Sequence, residues 1–263
     1  MSITIKTEED IKILREGGKL LAMVLDELEK EVVPGATTLD VDDKAMELLE
    51  QHNLEPIILG YQPTFAPRPY PAATCISLNE EVVHGIPNEA PRTFKEGDVV
   101  SIDLVIGYQG MVVDSARTVI CGVGSEAAKQ LISVTAKALK AAIEAARPGA
   151  YVSAIGAAVE RSVPKGFGIV EDLCGHGVGY SLHEEPQVPN FVIRGERGAL
   201  LKPGMVLAIE PMIIYGSKEV FFDAEDGYTV RSEDGGIAAH MEHAVLITED
   251  GPEILTLSSQ SDA

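Results

Sequence analysis

The fold is decided by residues 94–110, FKEGDVVSIDLVIGYQG, together with a second copy of the same pattern at residues 201–217, LKPGMVLAIEPMIIYGS. Each copy has a turn that ends in glycine, followed by an apolar, β-branched run that is typical of a strand. One acid interrupts each run, and Asp103 in the first copy corresponds to Glu210 in the second, 107 residues later. The pattern predicts one αβ unit that occurs twice.

The repeat extends on the N-terminal side of both strands. Residues 32–52 and 146–163 each contain a PGA triplet followed by a helical pattern, and residues 78–88, LNEEVVHGIPN, resemble residues 182–190, LHEEPQVPN. Helix, turn and strand recur in any α/β protein, but near-constant offsets favour a duplication. We therefore expect an α+β fold with two similar halves around a shared cleft. Thr7 is expected to cap a first helix, and a second helix is expected at about residues 39–52.

Composition narrows the classes of function. The 263 residues include 41 acidic and 21 basic side chains, and this net charge of −20 argues against binding to nucleic acid or anionic lipid. No apolar run is long enough to cross a membrane and no apolar leader is present, so we expect a cytoplasmic protein. Three widely spaced cysteines, Cys75, Cys121 and Cys174, suit reduced thiols. A monomer is expected.

The first strand is predicted to form a hairpin with residues 111–120, MVVDSARTVI, through the turn GYQG. A turn centred between Tyr108 and Gln109 would place Asp103 directly opposite Asp114. Opposed carboxylates destabilise a sheet unless a cation lies between them. The alternatives are a turn offset by one residue, or acids that face solvent.

Two further acids, Glu210 and Glu242, lie in apolar runs where an unpaired charge is costly to bury. Together with Asp103 and Asp114 they would form a hard ligand set, suited to two divalent ions. His176 lies between two glycines, where the backbone is free to bend, and is a candidate fifth ligand. Manganese, iron(II), cobalt and zinc all remain open.

With these residues in place, the sequence resembles the methionine aminopeptidases of the short type I class over nearly its whole length. The matching blocks, in order, are CISLNEEVVHGIP (75–87), GDVVSIDLVI (97–106) with VVDSARTV (112–119), CGHGVGYSLHEEPQV (174–188), LKPGMVLAIEPM (201–212) and MEHAVLITEDG (241–251).

The resemblance implies the pita-bread fold, in which two pseudo-symmetric αβ halves enclose a dinuclear metal site. It implies a single catalytic domain over residues 1–263, with halves of roughly 1–120 and 121–263. It also implies ligation of one ion by Asp103, ligation of the other by His176 and Glu210, and bridging by Asp114 and Glu242.

The resemblance further implies a reaction, the removal of N-terminal methionine from nascent proteins and peptides, with a preference for a small second residue. In this reaction Glu210 would accept a proton from water, and His183 would stabilise the oxyanion. His84 would contact the peptide near the scissile nitrogen. The remaining histidines, His52, His240 and His243, are expected to be structural.

Around the methionine side chain the resemblance places Tyr61, Tyr70, Cys75, Leu182 and Tyr228. Three pocket positions depart from the usual bacterial residues: Leu182 replaces Phe, Tyr228 replaces Trp, and Ile58 replaces Cys. Residues 62–69, QPTFAPRP, resemble an insertion beside the pocket. The pocket stays apolar, so methionine selectivity is expected.

Other functions remain as alternatives. A proline-specific aminopeptidase or dipeptidase of the same fold would use the same five ligands, but such enzymes usually carry a large N-terminal domain. A metal-free binding protein of this fold would be expected to have lost ligands. The type II class would have a long insertion between His183 and Glu210. Contact with the ribosome would be transient, given the acidic charge.

Overall fold

The computed structural model describes residues 3–64 and 66–257. Its helices are α1 (Glu8–Glu31), α2 (Thr38–Gln51), α3 (Glu126–Ala145) and α4 (Ser153–Ser162). Its strands are β1 (Glu55–Pro56), β2 (Thr74–Leu78), β3 (Glu81–Val83), β4 (Val99–Tyr108), β5 (Met111–Ile120), β6 (Gly168–Ile169), β7 (Gly175–Gly177), β8 (Glu184–Val188), β9 (Val206–Ile209), β10 (Met212–Ile214), β11 (Val220–Phe222), β12 (Val230–Ser232), β13 (Ala238–His240), β14 (His243–Ile247) and β15 (Pro252–Ile254). A helix pair followed by strands occurs twice, as the duplication predicts.

Capping boxes define the start of the first two helices. Thr7 accepts a hydrogen bond from the backbone of Asp10, whose side chain accepts one in return, and Thr37 pairs with Asp40 in the same way. The predicted cap at Thr7 is therefore present. The second helix begins one residue before its predicted start and ends one residue before its predicted end.

Strand β4 is the centre of the N-terminal sheet. It pairs with β5 along its whole length and with β1 and β2 on the other side. Helix α1 packs on β4 and β5 through a fully buried apolar stripe made of Leu14, Leu21, Val24, Leu25 and Leu28. This packing makes the hairpin a rigid platform for the side chains on its other face.

The turn of the β4–β5 hairpin differs from the predicted one. Tyr108 pairs with Met111, so the two turn residues are Gln109 and Gly110, with φ of 49° and 82°. Two central residues with positive φ match the twist of a hairpin, and glycine adopts this conformation without strain. The turn is therefore centred one residue later than expected.

This shift changes the partners of the two hairpin acids. Asp103 lies opposite Ala116, and Asp114 lies opposite Val105, so the prediction that the two aspartates are directly opposed is wrong. Moving a turn centre by one whole residue moves each cross-strand partner by two residues. Since side chains alternate between faces with a period of two, Asp103 and Asp114 still leave the same face, as diagonal neighbours.

Strand β9 is the counterpart of β4 and lies in the sheet ordered β15-β14-β9-β7-β8. The two sheets meet where β5 runs beside the residues that enter β14. The amide of Glu242 donates to the carbonyl of Ala116 at 2.9 Å, and the hydroxyl of Ser115 donates to the carbonyl of Glu242 at 2.7 Å. These bonds place Glu242 next to Asp114. No helix in the described part of the chain is long and apolar enough to span a membrane.

Candidate metal centre and active site

Strands from both halves bring three candidate ligands together. Asp114, His176 and Glu242 are buried, and their ligand atoms all lie within 4.8 Å of one another. Glu210 joins them from the end of β9, with Oε1 3.5 Å from Nε2 of His176. Oδ2 of Asp114 lies 3.7 Å from the same nitrogen. The imidazole therefore faces two carboxylates through one ring nitrogen.

The glycines on each side of His176 allow strand β7 to lie between its two neighbours. A Cβ on Gly175 would lie 2.3 Å from the carbonyl oxygen of Ala208, and a Cβ on Gly177 would lie 2.4 Å from that of Glu185. Nδ1 of His176 is 2.9 Å from the carbonyl oxygen of Gly177. Because a carbonyl can only accept, Nδ1 carries the proton, and Nε2 is left with a lone pair for a metal.

Three carboxylates of the site have unsatisfied oxygens. Among the described residues, no hydrogen-bond partner reaches the buried Oδ1 of Asp103, Oδ1 of Asp114 or Oε1 of Glu242. Buried polar atoms nearly always have partners, so these oxygens are candidates to act as ligand atoms. Carboxylate oxygens with one imidazole nitrogen are the donor set of a borderline or hard divalent cation. The residues present therefore fit a metal centre.

The same carboxylates hold protons more strongly than usual. Burial raises the pKa of Asp103 to about 6. Burial, followed by the charges of Asp103 and Glu210, raises the pKa of Asp114 well above its ordinary value. Burial and then the charge of Asp114 do the same to the pKa of Glu242. These directions describe repelling carboxylates that a cation would relieve.

His84 follows strand β3 with a φ of 62°, in the left-handed region that non-glycine residues rarely adopt. Strain of this kind costs about 1–3 kcal/mol and persists where the surroundings impose it, often at functional sites. Its Nδ1 is buried and meets no partner among the described residues. Burial lowers the pKa of His84 to about 4, which leaves a neutral ring at neutral pH.

His183 lies beside His176, with ring centroids 4.6 Å apart in an edge-on arrangement. The hydroxyl of Tyr61 is 3.1 Å from Nδ1 of His183. The residue is exposed overall, but its ring lies against these two neighbours. Burial of the ring, and then the charge of His176, lowers the pKa of His183 to about 4. Sequence reasoning placed Tyr61 in the pocket but missed this contact.

The predicted pocket residues lie in one apolar cluster. Tyr70 and Tyr228 stack edge to face with centroids 5.0 Å apart. Tyr61 is half-buried against the cluster, whose buried members include Ile58, Tyr70, Cys75, Leu182 and Tyr228. Cys75 on β2 pairs with Asp103 on β4, so the cluster borders the carboxylates directly.

Arg68, in the predicted insertion at residues 62–69, contacts one of the predicted pocket residues. Arg68 forms an ion pair with Glu89, and the hydroxyl of Tyr228 donates to the carbonyl of Arg68. The guanidinium of Arg68 also donates to the carbonyl of Asp226 at 3.4 Å. Phe65 lies outside the described residues. These contacts tie Arg68 to Tyr228, which is one of the predicted pocket residues.

His240 is closer to the site than the sequence analysis expected. Its Nε2 is 3.4 Å from Oε2 of Glu210, and the residue is only 2% exposed. Burial alone would lower its pKa, but the contact with Glu210 outweighs burial and raises it. The signal in the sequence was its spacing, because His240 precedes Glu242 by two residues and a strand would point both to one side.

Comparison with known proteins identifies the family of the chain. The profile of Metallopeptidase family M24 matches residues 12–249. Methionine aminopeptidase of Aquifex aeolicus is 45% identical over 258 residues, which cover 97% of this chain and 99% of that protein. The crystal structure of methionine aminopeptidase from Thermotoga maritima matches with a TM-score of 0.90 at 42% identity, over 97% of this chain and 99% of that chain. Prolidase from Pyrococcus furiosus matches with a TM-score of 0.71 at 24% identity, over 97% of this chain and 66% of that chain.

The prolidase match shows a common fold alone, whereas the methionine aminopeptidases match in sequence over almost the full length of both proteins. The predicted pita-bread fold is confirmed, and so is the predicted family. The chain belongs to metallopeptidase family M24 and, within it, to the methionine aminopeptidases.

Proposed function

We propose that this chain uses two divalent cations to remove the N-terminal methionine from nascent proteins and peptides, with a preference for a small second residue. The observation that carries the proposal is the approach of the ligand atoms of Asp114, His176 and Glu242 to within 4.8 Å of one another, close to the apolar cluster that contains the predicted pocket residues. Such a constellation combines a metal centre with a place for an unbranched apolar side chain.

Five residues would hold the cations: Asp103, Asp114, His176, Glu210 and Glu242. Support comes from the partnerless oxygens of Asp103, Asp114 and Glu242 among the described residues, and from the lone pair left on His176. When bound, divalent cations lower the pKa of water and polarise a carbonyl. Cobalt, manganese, iron(II) and zinc all suit a donor set of oxygens and one imidazole.

Glu210 is assigned the proton-accepting role. It is half-buried at the end of β9 and contacts His176 through one oxygen and His240 through the other. A carboxylate fixed between two imidazoles can accept a proton from water without moving. Nε2 of His240 thus lies 3.4 Å from one oxygen of Glu210, while Nε2 of His176 lies 3.5 Å from the other.

His183 and His84 are assigned to the peptide. His183 would donate through Nε2 to the carbonyl oxygen as negative charge develops on it, which is the interaction that most directly lowers the barrier. His84 would contact the backbone near the scissile nitrogen. Their lowered pKa values make both rings neutral near pH 7, so neither competes with the cations electrostatically.

The methionine side chain would lie among Tyr61, Tyr70, Cys75, Leu182 and Tyr228. The buried faces of this cluster are apolar, and the edge-to-face tyrosines form a stiff wall. A pocket of this kind favours an unbranched thioether over a charged side chain, because nothing in it would compensate a buried charge.

The proposal also covers the domain organisation, the oligomeric state and the cellular location of the protein. We infer a single catalytic domain over residues 1–263, in which halves of roughly 1–120 and 121–263 each supply ligands. Hydrogen bonds between β5 and the residues before β14 support the contact of the halves. A cytoplasmic monomer, with transient ribosome contact at most, fits a chain of net charge −20.

The experiment is an assay of metal-depleted protein on the peptides Met-Ala-Ser and Pro-Ala-Ser, with one divalent ion restored at a time. We expect release of free methionine only after metal is added, and no release of proline. Proline release would favour the proline-specific alternative. Methionine release without metal, under conditions where residual metal is excluded by elemental analysis, would contradict the proposal.

A further inference from the structure

We propose that Tyr61 is a positioning residue for His183, whose imidazole it holds in the tautomer with the proton on Nε2. The inference rests on the proposed function, in which His183 donates to the carbonyl oxygen of the peptide. It is carried by the 3.1 Å contact between the Tyr61 hydroxyl and Nδ1 of His183. The rings lie 5.8 Å apart at 50°, so the contact joins the hydroxyl to the ring edge and is not a stacking contact.

A neutral imidazole has one donor and one acceptor, and its partners decide which nitrogen carries the proton. If Nδ1 of His183 carried the proton, Nε2 would present a lone pair to the developing oxyanion and repel it. A doubly protonated ring would avoid this choice, but it would place a positive charge 4.6 Å, centroid to centroid, from the proposed metal ligand His176. The neutral Nε2–H form is therefore the useful one.

The neighbouring His176 shows why the kind of partner matters. Its Nδ1 meets the carbonyl oxygen of Gly177, which only accepts, so the proton must be on Nδ1 and Nε2 is free to bind metal. Nδ1 of His183 meets a hydroxyl, which can donate. His176 thus has a partner that can only accept, whereas His183 has a partner that can donate, as the proposed Nε2–H tautomer requires.

The backbone of Tyr61 is fixed well enough to hold this contact. Its amide donates to the carbonyl of Ile58 at 3.0 Å, and its carbonyl accepts from the amide of Tyr70 at 2.8 Å. The amide of Gly60 donates back to the carbonyl of Tyr70 at 2.8 Å, which ties together the two ends of the segment that contains the insertion. The hydroxyl is therefore presented to His183 from a rigid base, as preorganised donors require.

The test measures the tautomer directly. Protein labelled with ¹⁵N at histidine and loaded with diamagnetic zinc is examined by long-range ¹H–¹⁵N correlation, with the His183 signals identified by their loss in His183→Ala. We expect the Nε2–H form to predominate in the wild type and the Nδ1–H form to increase in Tyr61→Phe. Tyr70→Phe removes a hydroxyl from the same pocket whose partners are the carbonyls of Thr74 and Gly85, and it should leave the His183 tautomer unchanged.

Kinetics supply the second readout. Loss of one neutral hydrogen bond corresponds to about a tenfold change, so Tyr61→Phe should lower kcat about tenfold while KM changes less than about twofold. In the His183→Ala background the same substitution should have no further effect on kcat, because Tyr61 acts through His183.

The outcomes distinguish an error in the role proposed for His183 from an error in the role proposed for Tyr61. If His183→Ala turned over like the wild type, the role proposed for His183 would be wrong, and the role of Tyr61 with it. If His183→Ala lost turnover while Tyr61→Phe kept the wild-type tautomer, the function would stand and the present inference would be overturned. Fully additive effects of the two substitutions on kcat would overturn it as well.

Discussion

Nζ of Lys6 lies 2.7 Å from Oε2 of Glu184, and the two side chains are only 1% and 4% exposed. Glu184 also accepts hydrogen bonds from Thr4 and from the amides of Tyr180 and Ser181. This buried ion pair ties the residues before α1 to the start of β8. Because His183 is the neighbour of Glu184, the pair also anchors a proposed catalytic group.

Replacement of Lys6 by Met should therefore lower the free energy of unfolding by about 3 kcal/mol, since it leaves Glu184 buried without its cation. Urea unfolding measures this value. The matched control is Lys30→Met, because Lys30 forms an ion pair with Glu27 at the same distance of 2.7 Å but is 56% exposed. That change should cost below about 0.5 kcal/mol. Equal losses of unfolding free energy in the two variants would show that the buried Lys6 pair stabilises the fold no more than an exposed pair does.

The same pair predicts a pH dependence. Burial would raise the pKa of Glu184, but the hydrogen bonds from Lys6 and Thr4 outweigh it and hold the pKa below its ordinary 4.5. A depressed carboxyl pKa adds stability that is fully present above the unfolded-state pKa and is lost as the pH falls through the folded-state value. The stability difference between wild type and Glu184→Gln should therefore shrink between about pH 6 and pH 3. A difference that grows on acidification would contradict the assignment.

The register of the β4–β5 hairpin shows where sequence reasoning succeeds and where it stops. Because side chains alternate between the two faces of a strand, the prediction correctly put Asp103 and Asp114 on one face. A shift of the turn by a whole residue does not change this. The exact partners depended on which two residues take positive φ, and these are Gln109 and Gly110. Glycines lie on both sides of the turn in the sequence, so the sequence did not show which of the two possible pairs of residues forms the turn.

Contacts between distant segments were beyond sequence reasoning for a different reason. Tyr61 and His183 are 122 residues apart, and the contact of their side chains depends on how two loops pack. His240 reaches Glu210 in the same way, through the pairing of β10 with β13. Four of the five predicted ligands, in contrast, could be singled out in the sequence because an acid inside an apolar run is locally unfavourable, and His176 could be singled out by the glycines on each side of it.

Ligand and oxyanion roles should separate on mutation. Asp114→Ala removes a proposed bridging ligand and should lose most metal and activity. His183→Ala should retain metal but lose turnover by about a hundredfold or more, since a donor aimed at an oxyanion contributes on the order of 3 kcal/mol to the transition state. Elemental analysis and steady-state kinetics on the same preparations measure both. If the His183→Ala protein held no metal, or if the Asp114→Ala protein held a full complement of metal and stayed active, the assignments would be wrong.

Crowding of the scissile bond predicts the preference for the second residue. The ring centroids of His183 and His176 lie 4.6 Å apart, and the proposed cations and His84 would lie at the same bond, so little space would be left for a large second residue. Peptides with Gly, Ala or Ser after methionine should be cleaved far faster than peptides with Leu or Lys there. The measurement is kcat/KM over a panel Met-X-Ser in which only X changes. Equal values across the panel would show that the second residue is not sensed.

The diagonal aspartates predict how metal changes stability. In the metal-free protein burial, followed by the charge of Asp103, raises the pKa of Asp114, so ionisation of both aspartates within one buried site is costly. A ligand that binds only the folded state, at about a hundred times its dissociation constant, adds roughly 2.7 kcal/mol of stability. For a chain of this size each kcal/mol raises Tm by about 2–4 °C, so manganese or cobalt should raise Tm by at least about 5 °C.

The double variant Asp103→Asn, Asp114→Asn tests the cause of that shift. Amides keep the size of the two side chains and remove both charges, so the metal-free variant should melt at a higher temperature than the metal-free wild type. It should also respond little to added ion, since two of the five proposed ligands have lost their charge. Scanning calorimetry of both proteins, with and without metal, gives the four Tm values. If metal raised Tm equally in the two proteins, the repulsion between Asp103 and Asp114 would not be what the cation relieves, and the centre would have to be assigned to the remaining acids.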